Sequence, residues 1–206
     1  MVPALLDGGT KRRRLNLPNE NKFIGKGISY CATCDAMFYQ DKIVAVIGGS
    51  DSANMASLRL AEIAKKVYQI YRRNKFRGEI AWIDQIATNK KIEVIYNTEV
   101  VGLGGKEKLK KIILSTTYQG QLELAVDGLF IEIGTIPQKD LISKLSLETD
   151  EKGYIKISSD QKTSHSGIWA AGDITTASNN FHQIITACSK GAIASENIFK
   201  FLQNNK

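Results

Sequence analysis

Five consecutive apolar residues, Ile43-Val44-Ala45-Val46-Ile47, run without interruption into Gly48-Gly49. A run of that length, rich in β-branched residues and closed by glycine, predicts a parallel strand buried on both faces. Over residues 51–65 the pattern becomes helical, with Ala53, Ala56, Leu58, Leu60, Ala61, Ile63 and Ala64 forming a broad apolar face. Residues 66–71 read as the next strand. Strand, glycine turn, helix and strand in that order argue for a doubly wound α/β fold.

The same pattern extends to a helix over 79–88 and a strand over 92–96. The period then changes: 100–103, 110–116 and 121–126 read as a β-meander, with Tyr118-Gln119-Gly120 as a hairpin turn. Residues 128–134 form another buried run, stopped by Gly134 and Pro137. A boundary is expected near 137–147. Beyond it, 153–157 predicts a short strand, 167–173 a strand running into a Gly-Asp turn, and 183–201 an amphipathic helix. Residues 1–22 read as irregular. Cys188, in the small-residue stretch of the last helix, reads as a buried hydrophobe.

Composition narrows the class. The 206 residues are 43% hydrophobic and 24% charged, ordinary for a globular protein. No apolar run is long enough to span a membrane. The opening Met1-Val2-Pro3-Ala4-Leu5-Leu6 is too short for the apolar core of a signal peptide, so the expected compartment is the cytoplasm. The net charge of +7 raises the question of nucleic acid, yet no aromatic residues alternate with the basic runs as single-strand binding requires. The densest cluster, Lys11-Arg12-Arg13-Arg14, reads as solvated surface. Neither nucleic acid nor membrane is expected as a partner.

Candidate chemistry enters at two places. The spacing Gly48-x-Ser50-x-x-Ala53 is a variant of the dinucleotide turn: the first glycine permits the bend, the second position approaches the pyrophosphate, and the third small residue brings the helix close to the strand. Gly48, Gly49, Ser50, Asp51, Ser52 and Ala53 are therefore candidate nucleotide contacts, a structural βα turn being the alternative. Arg72, Arg73 and Arg77 follow the second strand, and no acidic residue occurs from Lys65 through Gly78. An arginine cluster at that place suits the 2′-phosphate of NADPH better than the ribose hydroxyls of NADH; a solvated basic patch is the bland alternative.

The second place is Cys31-Ala32-Thr33-Cys34-Asp35. A CxxC at the start of a helical turn puts two sulfurs within disulfide reach and lowers a thiol pKa. Asp35 is placed to relay the proton that exchange requires. Half of a zinc site is the competing reading. It would need two more soft ligands, and only Cys188, His165 and His182 remain, scattered singly. No metal is therefore expected.

Six stretches, in order and at matching spacing, resemble the low-molecular-weight thioredoxin reductase family. They are Gly27-Ile28-Ser29-Tyr30-Cys31-Ala32-Thr33-Cys34-Asp35, the turn from Gly48 to Ala53, the segment from Tyr71 to Arg77, Val126-Asp127-Gly128-Leu129-Phe130, Ile133-Gly134-Thr135-Ile136-Pro137, and Ile168-Trp169-Ala170-Ala171-Gly172-Asp173. The resemblance implies an α/β fold in which a Rossmann-like three-layer NADPH domain with a β-meander is inserted into a discontinuous FAD-binding domain. The corresponding divisions here are 1–11, 12–140 and 141–206.

The resemblance also implies a function: electrons pass from NADPH through FAD to the Cys31–Cys34 disulfide and on to a thioredoxin-like protein disulfide. Cys31, Cys34 and Asp35 would be catalytic. Arg72, Arg73 and Arg77 would hold the 2′-phosphate, and Gly134 would join the cofactor contacts. Gly172 and Asp173 would meet the FAD ribityl–phosphate region, with His182, Gln183 and Ile184 near the flavin. Family members suggest a homodimer.

Three departures qualify that expectation. Ser50 stands where the family has glycine, and His182 where an arginine is common. The chain also opens past the family's N-terminal FAD-binding βαβ unit, so it is not expected to hold FAD tightly alone. The alternative function is an NADPH-binding module, or one half of a split flavoprotein.

Overall fold

The structure, a computed structural model, describes residues 3–177 and 183–204. In chain order the elements are β1 (Ala4–Leu6), β2 (Thr10–Arg12), α1 (Glu20–Phe23), β3 (Ile28–Ser29), α2 (Ala32–Asp35), a 3-10 turn (Ala36–Tyr39), β4 (Ile43–Ile47), α3 (Asp51–Ile63), β5 (Lys66–Tyr71), α4 (Ile80–Thr88), β6 (Ile92–Tyr96), β7 (Val100–Gly104), β8 (Lys111–Tyr118), β9 (Gln121–Ala125), β10 (Gly128–Ile131), β11 (Thr135–Pro137), α5 (Lys139–Lys144), β12 (Ile168–Ala170), a second 3-10 turn (Gly172–Ile174) and α6 (Ile184–Asn204). They divide into two compact units, one of Arg12–Gly134 and one of Met1–Lys11 with Thr135–Lys206.

In the 12–134 unit, a five-stranded sheet runs in the order β3-β10-β4-β5-β6. Every neighbouring pair is parallel. Strand β4 lies at the centre and buries both faces, as its uninterrupted apolar run requires. Val44 and Val46 pack with Ala53, Ala56, Leu60 and Ala61 of α3. Ala45 and Ile47 point the other way, into a cluster with Leu109, Ile112 and Leu114 of the meander segment. The period-2 alternation of one strand thus builds two cores and gives three layers: helices, parallel sheet and the antiparallel β7-β8-β9 meander. Fully burying a side chain such as Leu60 contributes about 1.5–3 kcal/mol. The small residues of α3 let it approach the sheet closely.

The other unit pairs β1 with β12 in parallel, and β2 with β11. Leu6, Ile155, Ile168, Ala170 and Ile174 form one cluster. Trp169 and Ala194 form another, where Trp169 meets Phe201 edge-on at 5.3 Å between ring centres.

Three expectations need correction. Residues 153–157 do not form a strand: Ile155 makes only isolated bridges to Thr149 and Thr175, so no ladder develops. The first 22 residues contain β1, β2 and α1, elements too short to impose a period on the sequence. Cys188 is exposed. The inward face of α6 runs instead through Lys190 and Ala194, one turn apart, and places Cys188 on the other side.

Candidate functional site

In a parallel sheet the loops at the carboxyl ends of the strands share one edge, the usual place for a ligand. Along that edge, β5 runs into Arg72, β4 into Gly48, β10 into Glu132, and β3 through Tyr30 into Cys31. Since the order is β3-β10-β4-β5, arginine loop, glycine turn, buried carboxylate and disulfide stand on four adjacent strands. Neighbouring strands lie roughly 4.8 Å apart.

A cleft of about 530 Å³ lies on this edge, lined by Gly48, Gly49, Ser50, Arg72, Arg77 and Glu132 among others. The glycine turn is held from several directions. Gly48 has φ +145°, and a Cβ there would overlap the Glu132 carbonyl and the Cβ of Ala53, so Gly48 and Ala53 are small for the same close approach. A Cβ on Gly49 would lie 2.5 Å from the Tyr71 ring, which stacks directly beneath the turn. Buried Gln69 donates through Nε2 to the Gly48 carbonyl at 3.2 Å and to Asn54 Oδ1 at 2.9 Å.

The arginine loop is tied to the same turn. Arg77 N–H donates to the Gly49 carbonyl at 2.8 Å, and Glu79 N–H donates to Asp51 Oδ1 at 2.6 Å. Asp51 therefore spends a carboxylate oxygen on starting α4. Ser50 caps α3 without a hydroxyl bond to the helix, and it lines the cleft. Ala53 is buried; Ser52 is exposed and not among the lining residues. Arg72 and Arg77 face the cleft, whereas Arg73 is exposed outside its lining. Arg72 stands 3.9 Å from Glu99, a solvent-exposed pairing of little energetic weight. Gly134 lines the far side.

The basic cluster is exposed, as a solvated surface should be, and three of its arginines also reach this site. Arg12 Nη1 donates to Glu132 Oε2 at 3.0 Å, on a carboxylate only 6% exposed. Arg13 and Arg14 line the cleft. Arg14 Nε donates to Glu20 Oε1 at 3.4 Å. Glu20, 2% exposed, also accepts from Leu15 N–H and Leu17 N–H, each at 3.3 Å, and from the Tyr30 hydroxyl. Burial pushes the Glu20 carboxyl up, but the Tyr30 and Leu17 donors, the Arg14 charge and the Leu15 N–H outweigh it and hold the group below the usual carboxylate range. Glu132 goes the other way: burial raises it, against the opposing pull of Arg12 and of the Ala32 amide.

The dithiol lies beside Glu132. Cys31 and Cys34 form a disulfide with 5.3 Å between Cα atoms. Cys31 caps α2, its sulfur accepting from Cys34 N–H at 3.2 Å, and its own N–H donates to Ser29 Oγ at 3.0 Å. Asp35 closes the turn with its N–H on the Cys31 carbonyl at 3.1 Å and is half-buried. Met37 and Phe38, just after it, are 68% and 72% exposed. Among the described residues no group of three or more His, Cys, Asp or Glu is arranged to hold a metal, and no helix is long and apolar enough to cross a membrane.

The remaining candidates belong to the other unit. Gly172 has φ +78°, with no described residue where a side chain would project, and Asp173 Oδ1 is buried without a hydrogen-bond partner among the described residues. Buried Lys190 donates to the carbonyls of Gly172 at 3.3 Å and Ala177 at 3.2 Å. Gln183 and Ile184 are exposed at the start of α6; His182 lies outside the described residues. Sequence reasoning passed over Glu132, Gln69, Arg13 and Arg14. For Glu132 a signal existed: it is the one charge inside an otherwise apolar run.

The family model described as pyridine nucleotide-disulphide oxidoreductase matches residues 5–191. Thioredoxin reductase of Treponema pallidum (strain Nichols) is 38% identical over 194 residues, 94% of this chain and 62% of the relative. Thioredoxin reductase of Streptomyces clavuligerus is 36% identical over 201 residues, 97% of this chain and 62% of the relative. The chain thus spans 62% of the length of these curated relatives. Among solved structures, Lactococcus lactis thioredoxin reductase in its FR conformation superposes with a TM-score of 0.88 at 31% identity, covering 98% of this chain and 66% of that one. The T. acidophilum thioredoxin reductase gives 0.84 at 32% identity, covering 96% and 65%.

Proposed function

The chain belongs to the pyridine nucleotide-disulphide oxidoreductase family, and from there we propose that it carries the nucleotide and dithiol machinery of a thioredoxin reductase. The observation that carries the reading is the edge order itself: arginine loop, glycine turn and disulfide on strands of one parallel sheet, with a single cleft running past the first two. The 12–134 unit is then the NADPH domain, and the segments 1–11 and 135–206 belong to an FAD domain.

The cleft fits NADPH. Arg72 and Arg77 supply paired cationic donors suited to a 2′-phosphate. The turn at Gly48–Ser50 sits at the start of a long helix, where backbone N–H groups favour a pyrophosphate. The Tyr71 hydroxyl, buried at the cleft wall without a hydrogen-bond partner among the described residues, can pair with a ligand. For FAD, Asp173 Oδ1 and the face of Gly172, both without a neighbour to fill them among the described residues, fit a ligand that brings hydroxyl donors. When bound, the flavin supplies the two-electron link between nucleotide and disulfide.

The residues of the chain do the rest. The Cys31–Cys34 bond takes two electrons and two protons and opens to two thiols, one of which gives up its proton to become the attacking thiolate. That thiolate attacks a partner's disulfide and forms a mixed disulfide. The second cysteine then displaces the partner's reduced thiol and re-forms the Cys31–Cys34 bond. Asp35 is placed to hold the proton that a departing thiolate needs. Exposed Met37 and Phe38 give a protein substrate an apolar landing beside the sulfurs. Buffer, NADPH, added FAD and a bacterial thioredoxin test the reading: consumption of NADPH with stoichiometric thiol formation is expected, and should vanish in Cys31→Ser and Cys34→Ser. Activity that survives both substitutions would refute it. NADPH binding without turnover would assign a nucleotide-binding module instead.

A further inference from the structure

We propose that Glu132 is a nucleotide-binding residue of the cleft, accepting a hydrogen bond from the nicotinamide half of NADPH. The proposal rests on the reading that the cleft takes NADPH. Its ground is the edge order. The arginines end β5 and the glycine turn ends β4, so the dinucleotide runs across the sheet from the 2′-phosphate to the pyrophosphate. The next strand in that direction is β10, and the residue at its carboxyl end is Glu132. One further strand spacing, roughly 4.8 Å, carries the ligand from pyrophosphate towards the second nucleoside. Glu132 therefore meets the part of the ligand that is rich in neutral donors: ribose hydroxyls and the carboxamide N–H.

The side chain is built for that task. It is 6% exposed and lines the cleft, and Arg12 fixes one of its oxygens at 3.0 Å. Its backbone is locked as well: Glu132 N–H donates to the Ile47 carbonyl at 2.9 Å, and the Glu132 carbonyl abuts Gly48. A carboxylate held that firmly and that deeply buried is costly unless its lone pairs are used. Strand β3, which leads into the Cys31–Cys34 turn, flanks β10 on the side away from β4, and the Ala32 amide pulls the Glu132 carboxyl down. Glu132 thus stands between the nucleotide and the dithiol.

Equilibrium binding separates the two halves of the ligand. NADPH and adenosine 2′,5′-bisphosphate, which lacks the nicotinamide nucleoside, are titrated against the wild-type chain, Glu132→Ala and Glu132→Gln. The expected result is a loss of about tenfold or more for NADPH in Glu132→Ala, a smaller loss in Glu132→Gln, and bisphosphate affinity within about twofold of wild type in both. Unchanged NADPH affinity overturns the proposal. An equal loss for both ligands also overturns it, because it would mean that the glycine turn had collapsed. If Glu132→Ala does not fold, the comparison in Glu132→Gln decides alone. A wild-type chain that binds neither ligand refutes the NADPH reading itself, and this proposal with it. The 3-acetylpyridine analogue of NADP, which keeps the ribose and lacks the amide N–H, assigns the donor: a loss persisting with the analogue points to the ribose, and one that disappears points to the carboxamide.

Discussion

The N–H of Arg77 donates to the carbonyl of Gly49 at 2.8 Å. The two motifs that a nucleotide would touch are therefore one hydrogen-bonded piece, although more than 25 residues separate them. Anything that displaces the turn displaces the arginines.

Replacing Arg72 by alanine should weaken NADPH binding by about tenfold or more and leave NADH nearly unchanged, since only the former carries the 2′-phosphate. A charge-assisted hydrogen bond of about 1.5–3 kcal/mol is at stake. Fluorescence titration with both nucleotides measures it, and equal weakening of the two would rule out the 2′-phosphate role. Arg73→Ala, at an arginine outside the cleft lining, should have the smaller effect.

Gly49→Ala tests the stacking of Tyr71. The added methyl group would press on the ring at 2.5 Å, and overpacking of this kind costs about 1–3 kcal/mol. Urea unfolding should show that loss, together with weaker NADPH binding. Tyr71→Leu combined with Gly49→Ala should recover part of the stability. A double variant no more stable than Gly49→Ala would show that the ring is not what excludes a side chain there.

Thiol counting checks the dithiol. With three cysteines in the chain, the oxidised protein should give one thiol that reacts rapidly without denaturant, from exposed Cys188, and the reduced protein three. Cys188→Ser should lower both counts by one. A native oxidised chain with no reactive thiol would contradict the exposure of Cys188.

The two buried carboxylates should give opposite pH signatures. Glu20 is held below its usual range, so its contribution is present above the ordinary value of 4.5 and is lost as pH falls through the lowered one. Glu20→Gln should therefore cost about 2 kcal/mol at pH 7, with the gap to wild type closing in acid. Glu132 is raised, so its contribution to stability is greatest below 4.5 and fades as pH rises through the higher folded value. Glu132→Gln should gain on wild type over that rise. Unfolding free energies from pH 3 to pH 8 measure both; parallel curves for the two variants would show that the carboxylates do not differ in this way.

The sheet and its chemistry were legible to different degrees. Strands β4, β5 and β6 could be read because continuous burial or period leaves an imprint on local sequence. The Cys31–Cys34 pair and the glycine turn were legible as local structure because a disulfide across one helical turn and a tight strand-to-helix bend each need a fixed spacing. The basic cluster could be read as exposed but not as paired: Arg12 meets Glu132 across 120 positions, and no local pattern announces such a pairing. Residues 153–157 have the composition of a strand but lack a neighbour long enough to form a ladder with. Cys188 failed on helical phase, since a small-residue stretch does not say which of its faces turns inward.

The order of groups along the sheet edge has a practical consequence. Their spacing is set by hydrogen bonds between strands, not by the length of chain that joins them. Segments that merely connect strands, such as the hairpin at Gln119-Gly120 between β8 and β9, can be lengthened or used to graft a reporter while the spacing of the edge stays as it is. The molecule behaves as a fixed ruler with replaceable cords, and labels placed in those cords would follow nucleotide and thiol chemistry from outside the site.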